Sequence, residues 1–217
     1  MFSLITMKPY WIKTHRLVKK CFPGFVWDVP NNENKVYLTF DDGPTPEITE
    51  WVLDILKQHD IKATFFCIGK NIKQYPEIFR KVIEGGHAIG NHTYSHVNGW
   101  QTENERYFEN TALTEEYLIE NGISTKLFRP PYGKIKRSQA AFLRNKGYKI
   151  IMWDVLSADF DRKITPGKCL KNVIDNTGNG SIIIFHDSVK AYPNLKYTLP
   201  KVIDYLKRKN FSFDKIG

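Results

Sequence analysis

His92-Thr93-Tyr94-Ser95-His96 sets two imidazoles four residues apart, the spacing at which a helical turn or tight loop lets both rings converge on one cation. Such a pair alone is weak evidence, because both rings are as readily solvated or bonded to backbone. A carboxylate brought from another strand end would make a two-histidine, one-carboxylate face with positions open to water, an arrangement of catalytic rather than structural sites. Asp41 and Asp42 are adjacent in Thr39-Phe40-Asp41-Asp42-Gly43-Pro44. Successive strand side chains point to opposite sides, so the two carboxylates do not share one role. One would ligate, and a carboxylate beside the ion but not bound to it would serve as base for the metal's water. The competing reading makes Asp41-Asp42-Gly43-Pro44 a turn that caps the following helix. Cys21, Cys67 and Cys169 are too sparse and too far apart for a thiolate zinc knot or a disulfide framework, and read as buried thiols.

The elements that must position these groups alternate in type. Short β-branched or aromatic runs predict strands over 36–40, 63–68, 87–90, 127–128, 149–153, 181–185 and 211–213. Helical patterns fall between them over 46–59, 75–84, 103–120, 138–146, 166–176 and 195–209. In the first of these, Ile48, Trp51, Val52, Ile55 and Leu56 form one apolar face. Strand-helix alternation implies a parallel sheet, and a run such as Ile182-Ile183-Ile184-Phe185 implies one covered on both faces. An open doubly wound sheet and a closed barrel both satisfy this α/β pattern. In a parallel barrel the active site lies at the carboxyl ends of the strands. Those ends deliver Asp41-Asp42, Asn91-His92 with His96 beyond, Arg129, Asp154 with Asp159, and His186-Asp187. No Gly-rich phosphate loop follows the first strand, where two acids stand instead, so dinucleotide binding is demoted.

The 217 residues, 41% of them hydrophobic and 25% charged, exclude a disordered or low-complexity chain. The rhythm predicts one domain over residues 31–217, preceded by a basic strap over 1–30. Its first twenty residues carry Lys8, Lys13, Arg16, Lys19 and Lys20 without an acid, interleaved with Trp11, Ile12, Leu17 and Val18. Residues 8–20 therefore suit peripheral contact with an anionic membrane or an acidic glycan, or a solvated strap packed on the domain. The net charge of +9 favours anionic partners without naming one. No basic-aromatic nucleic-acid motif accompanies it, so nucleic acid is not expected. No stretch approaches a membrane span or a secretory leader, which predicts a cytoplasmic or membrane-peripheral protein unless the chain is a processed form.

Taken together, Thr39-Phe40-Asp41-Asp42-Gly43-Pro44, His92 to His96, Arg129-Pro130-Pro131-Tyr132-Gly133, Trp153 to Phe160 and Ile184-Phe185-His186-Asp187 resemble, in order, the motifs of the polysaccharide deacetylases of NodB-homology type. This is carbohydrate esterase family 4. The likeness spans about residues 35 to 213, and ordered motifs are far more specific than any one. It implies a distorted (β/α) barrel, TIM-barrel-like with about seven parallel strands. It also implies metal-dependent removal of N-acetyl groups from an N-acetylglucosamine-containing poly- or oligosaccharide of peptidoglycan or chitin type. Carried over by motif, Asp41 resembles the catalytic base and Arg129 the residue that positions it. Asp42, His92 and His96 resemble the ligands of one divalent ion, zinc first, with cobalt or another as alternatives. The backbone amide of Tyr132 resembles the oxyanion donor, and His186 the general acid, tuned by Asp159. Phe160 and Ile184 match positions lining the acetyl pocket, with Pro131 beside them as a substrate contact. The fourth motif departs from the family, with Leu156 in place of an acid and Phe160 in place of a tryptophan, which keeps the pocket apolar but removes an indole N–H. The same groups would serve an O-acetyl esterase or a deformylase on a lipid-linked sugar. A catalytically inactive glycan-binding protein would not require the full set of base, ligands and acid.

Overall fold

The computed structural model describes residues 10–217. Every strand pair within its nine-stranded sheet is parallel. The strands are β1 (Phe25–Val26), β2 (Lys35–Asp41), β3 (Thr64–Cys67), β4 (Ala88–Asn91), β5 (Leu127–Phe128), β6 (Lys149–Ile151), β7 (Val155–Leu156), β8 (Ile182–His186) and β9 (Ser212–Phe213). Their order is β1-β6-β5-β4-β3-β2-β8-β7, with β9 added to the start of β2. β6 pairs with β5 near one end of this path and β7 with β8 at the other, yet only residues 152–154 separate them in the chain. One stretch of chain thus changes partner across the gap, and the sheet must curl into a distorted barrel.

The outer layer consists of α1 (Arg16–Cys21), α2 (Ile48–Gln58), α3 (Gly69–Gln74), α4 (Pro76–Glu84), α5 (Asn104–Glu120), α6 (Arg137–Asn145), α7 (Pro166–Ile174) and α8 (Tyr192–Arg208). The strand period of two sorts side chains between this layer and the barrel interior. Val36, Leu38 and Phe40 of β2, with Ile183 and Phe185 of β8, join a core that includes Val52 and Leu56 of α2 and Leu199 and Val202 of α8. The alternate residues, Thr39 and Asp41 on β2 and Ile184 and His186 on β8, take the opposite face. Register pairs Asp41 with His186, so two of the expected site residues end neighbouring strands side by side.

Gly90 of β4 shows how tightly the interior is filled. A Cβ there would lie 2.4 Å from the Phe66 ring and 3.3 Å from the Leu127 carbonyl oxygen. Gly90→Ala is therefore expected to cost about 1–3 kcal/mol through overpacking. A lower denaturant midpoint at unchanged slope would show it; an unchanged midpoint would mean that Phe66 moves aside freely.

All seven expected strands form, although β6 stops at Ile151 rather than Trp153. β1 and β7, and helices α1 and α3, are additional. Asp154 is not at a carboxyl end. It lies at the amino end of β7, where it accepts from Lys13 and Lys19 at 2.5 and 2.6 Å and from Ser181 Oγ at 2.6 Å. Two of the five strap cations are thus neutralised by the domain, while Arg16 and Lys20 stay exposed and Lys8 lies outside the described residues. The strap is also pinned by β1 on β6 and by bridges from Lys13 to Val155 and Asp28 to Ser181. Cys67 and Cys169 are buried as expected, but Cys21 is exposed at the end of α1. Among the described residues no helix is long and apolar enough to cross a membrane.

Candidate active site

Arg129 follows β5 and is wholly buried, with its guanidinium 4.1 Å from the centroid of the Phe66 ring. Nε and Nη2 donate to the carbonyls of Ile151 and Met152, and Nη1 donates at 2.7 Å both to Thr39 Oγ1 and to Asp41 Oδ1. The Thr39 hydroxyl donates its own proton to the Ile183 carbonyl, so its oxygen is available to Arg129. A buried cation needs such a cage, because unpaired it would carry a large desolvation cost. Its consequence is that Asp41 is held through Oδ1, while Oδ2 lies 3.7 Å from His92 Nε2.

Asp42 is the next residue, but φ of 83° turns it out of the strand. Its Oδ1 lies 3.3 Å from His96 Nε2 and 3.8 Å from His92 Nε2. One ligand atom from each of Asp42, His92 and His96 falls within 4.8 Å of the others, the grouping that suits a cation. His92 Nδ1 sits 2.7 Å from the Arg129 carbonyl oxygen, which only accepts, so the proton is on Nδ1 and the Nε2 lone pair faces the cluster. Burial pushes the pKa of both imidazoles down, His92 far and His96 less, with Asp42 opposing the shift. Both rings are therefore kept in the neutral, metal-binding form. Asp42 Oδ1 is buried without a hydrogen-bond partner among the described residues. A buried carboxylate oxygen left unbonded beside two neutral imidazoles is costly unless a cation joins them. The three residues fit a divalent ion on that ground.

His186, at the end of β8, has Nδ1 2.8 Å from Asp159 Oδ1, and its backbone amide donates at 2.7 Å to Asp159 Oδ2. Burial alone would lower this imidazole, but the Asp159 carboxylate, aided by Asp42 and Asp41, raises it to about 9. Phe160 packs edge-on against the ring at 5.2 Å and joins Ile184 in one apolar cluster, while Pro131 is buried in the turn that carries the exposed Tyr132. In the Pro131–Gly133 turn, the Gly133 and Lys134 amides donate back to the Pro130 and Pro131 carbonyls. No such bond takes the Tyr132 amide among the described residues. The Tyr132 ring meets His96 at 4.5 Å.

Strained backbone gathers here. Asp42, Thr93, His96, Tyr132 and Ala158 all have φ between 54° and 83°, the left-handed region that non-glycine residues avoid. Local bonds hold that strain in place. Asn91 Oδ1 accepts from the Thr93 amide, and Asn71 donates to the Asp42 carbonyl. Asp187 accepts from the Gly43 amide at 3.1 Å and from Thr49 Oγ1 at 2.5 Å. A Cβ at Gly43 would lie 2.0 Å from Asp187 Oδ2, so only glycine fits between the two. Thr39, Phe66 and Asn91 were not singled out from sequence for these supporting contacts. Thr39, inside the first motif, and Asn91, at a strand end, carried a positional signal, and Phe66 carried none.

Residues 28–151 match the family model described as polysaccharide deacetylase. A peptidoglycan-N-acetylglucosamine deacetylase of Bacillus cereus is 37% identical over 192 residues, covering 88% of this chain and 70% of that protein. A chitooligosaccharide deacetylase of Azorhizobium caulinodans is 34% identical, covering 73% of this chain and 76% of that one. Among solved structures, the Bc1960 peptidoglycan N-acetylglucosamine deacetylase superposes with a TM-score of 0.85 at 35% identity, over 89% of this chain and 91% of its own.

Proposed function

The chain belongs to the polysaccharide deacetylase family, the NodB-homology carbohydrate esterases, and on that premise we propose that it hydrolyses N-acetyl groups from N-acetylglucosamine-containing glycans of peptidoglycan or chitin type. The observation that carries this reading is the placement of an arginine-anchored carboxylate and a carboxylate-bonded imidazole around one candidate cation cluster. Arg129-bound Asp41 lies at its edge. On the neighbouring strand, His186 is bonded to Asp159.

Asp42, His92 and His96 would hold the ion, zinc in the first instance. A divalent ion there supplies Lewis acidity and lowers the pKa of the attacking water. Asp41, fixed through Oδ1, presents Oδ2 to take the water's proton as the acetyl carbonyl is attacked. The Tyr132 amide donates to the oxygen that gains charge, and losing one such donor typically costs about 3 kcal/mol. His186 gives its proton to the departing amine, which is a poor leaving group as an anion. Asp159 keeps the Nδ1 proton in place and so directs Nε2 toward that nitrogen. Phe160, Ile184 and Pro131 supply the apolar surround of the acetyl group.

The test is acetate release from chitooligosaccharides, peptidoglycan fragments and acetylated xylan, with and without chelator. Release only from the acetylated xylan would move the reading to an O-acetyl esterase. Metal content is a separate measure. Asp42→Ala and His96→Ala are each expected to lower zinc content well below one equivalent in elemental analysis after purification. A full equivalent retained at wild-type affinity in both variants would remove those residues from the ligand set.

A further inference from the structure

Two lysines stand over aromatic rings on the loops that carry site residues. Lys134 Nζ lies 5.3 Å from the centroid of Trp100, and Lys190 Nζ lies 5.6 Å from that of Phe160. Each pair is tied to a residue already placed in the site. Trp100 follows His96 by four positions, and its indole donates at 3.2 Å to the Ile135 carbonyl, while Lys134 is two residues beyond Tyr132. Phe160 packs on His186, and Lys190 is in the loop that follows His186. The first pair rides on the loops after β4 and β5, and the second on those after β7 and β8, with β3 and β2 between them in the sheet.

Neither ammonium has a carboxylate within 4 Å among the described residues. Three of the acids of the same loops are engaged elsewhere, and Glu103, exposed before α5, forms no ion pair with either lysine. Asp159 holds His186, Asp187 holds Thr49 and Gly43, and Asp161 accepts from Tyr10. Trp100 and Tyr132 are 60% and 61% exposed, so wide apolar ring surface accompanies the charge. Exposed aromatic surface suits the apolar face of a sugar ring, and a cation beside it suits an anionic substituent on that sugar.

We propose that Lys134 and Lys190 make this site select N-acetylated glycans that carry carboxylates on the sugars flanking the one deacetylated, over neutral glycans of the same length. This rests on the deacetylase reading above and adds to it a preference set by charge. An uncharged chitin-type chain would leave both ammonium groups without a counter-ion. A glycan bearing lactyl or other carboxylates at its flanking sugars would pair with them.

Three tetrasaccharides test it: neutral tetra-N-acetylglucosamine, an alternating N-acetylglucosamine–N-acetylmuramic acid chain, and that chain with each carboxylate converted to its methylamide. The quantity read is the acid-to-methylamide ratio, both in kcat/KM for acetate release and in calorimetric affinity. At low salt the wild type is expected to favour the acid by about threefold to tenfold, as two partly exposed ion pairs would give. High salt should shrink the ratio. The double variant Lys134→Gln/Lys190→Gln should bring it close to one. A ratio near one in the wild type, or an unchanged ratio in the double variant, overturns the selection. No acetate released from any of the three would count against the deacetylase reading. The affinity ratio would then still decide this one.

Discussion

Asp41→Asn is expected to lower kcat by about 10²–10⁴-fold, the usual contribution of a general base, while metal content stays close to that of the wild type. The asymmetry follows from the two aspartates' surroundings. Asp41 is anchored by Arg129 at 2.7 Å and is not in the cation cluster, whereas Asp42 places an orphaned oxygen 3.3 Å from His96 Nε2. An asparagine oxygen can still accept from Arg129 Nη1, so the cage around the guanidinium keeps its contacts but loses the opposing charge. Breaking a buried pair outright costs about 3–5 kcal/mol, so Asp41→Asn should fall short of that and Asp41→Ala should reach it. Thermal unfolding of both variants beside the zinc assay separates a lost base from a lost fold. Zinc lost from a folded Asp41→Asn protein would show that the two aspartates have exchanged roles.

What made Asp41 and its partners legible in sequence was their concentration at strand ends, a position that depends only on element type and order. β2 and β8 are long, apolar and β-branched, so their limits and the polar residues that close them could be read directly. β1 and β7 have two residues each and no periodicity to detect. They exist because the curled sheet offers them open edges on β6 and β8. For the same reason Asp154 was placed at the wrong end. The run 149–153 reads as one strand with Asp154 beyond it, but the chain changes partner at 152–154 and Asp154 leads into the second segment. Backbone strain was invisible too. Positive φ at Asp42, Thr93, His96, Tyr132 and Ala158 falls on residues other than glycine and so leaves no mark in the sequence. Cys21 became exposed because α1 contributes no buried residue to the core, which its mixed composition does not reveal.

His186 and Asp159 are expected to act as one unit, so that the double variant His186→Ala/Asp159→Asn is scarcely slower than His186→Ala alone. The geometry requires this coupling. Asp159 is wholly buried, and both its oxygens accept from His186, Oδ1 from Nδ1 and Oδ2 from the backbone amide, with the Phe160 amide sharing Oδ1. Without the imidazole, the carboxylate has no route to the leaving group. His186→Ala should cost about 10²–10⁴-fold on an N-acetylglucosamine oligomer, whose amine must be protonated to leave. It should cost far less on an acetyl ester with a good leaving group. Equal losses on both substrates would exclude His186 as the general acid. The pH profile supplies an independent sign. An acid must be protonated to act, so activity falls as pH rises through its folded value, which is raised to about 9 because Asp159, with Asp42 and Asp41, outweighs the effect of burial. A cation held by Asp42, His92 and His96 would draw that value down, so the informative quantity is the displacement between variants. Asp159→Asn removes the largest raising influence and should move the alkaline limb of kcat/KM to lower pH. A limb that stays in place would mean that it reports another group.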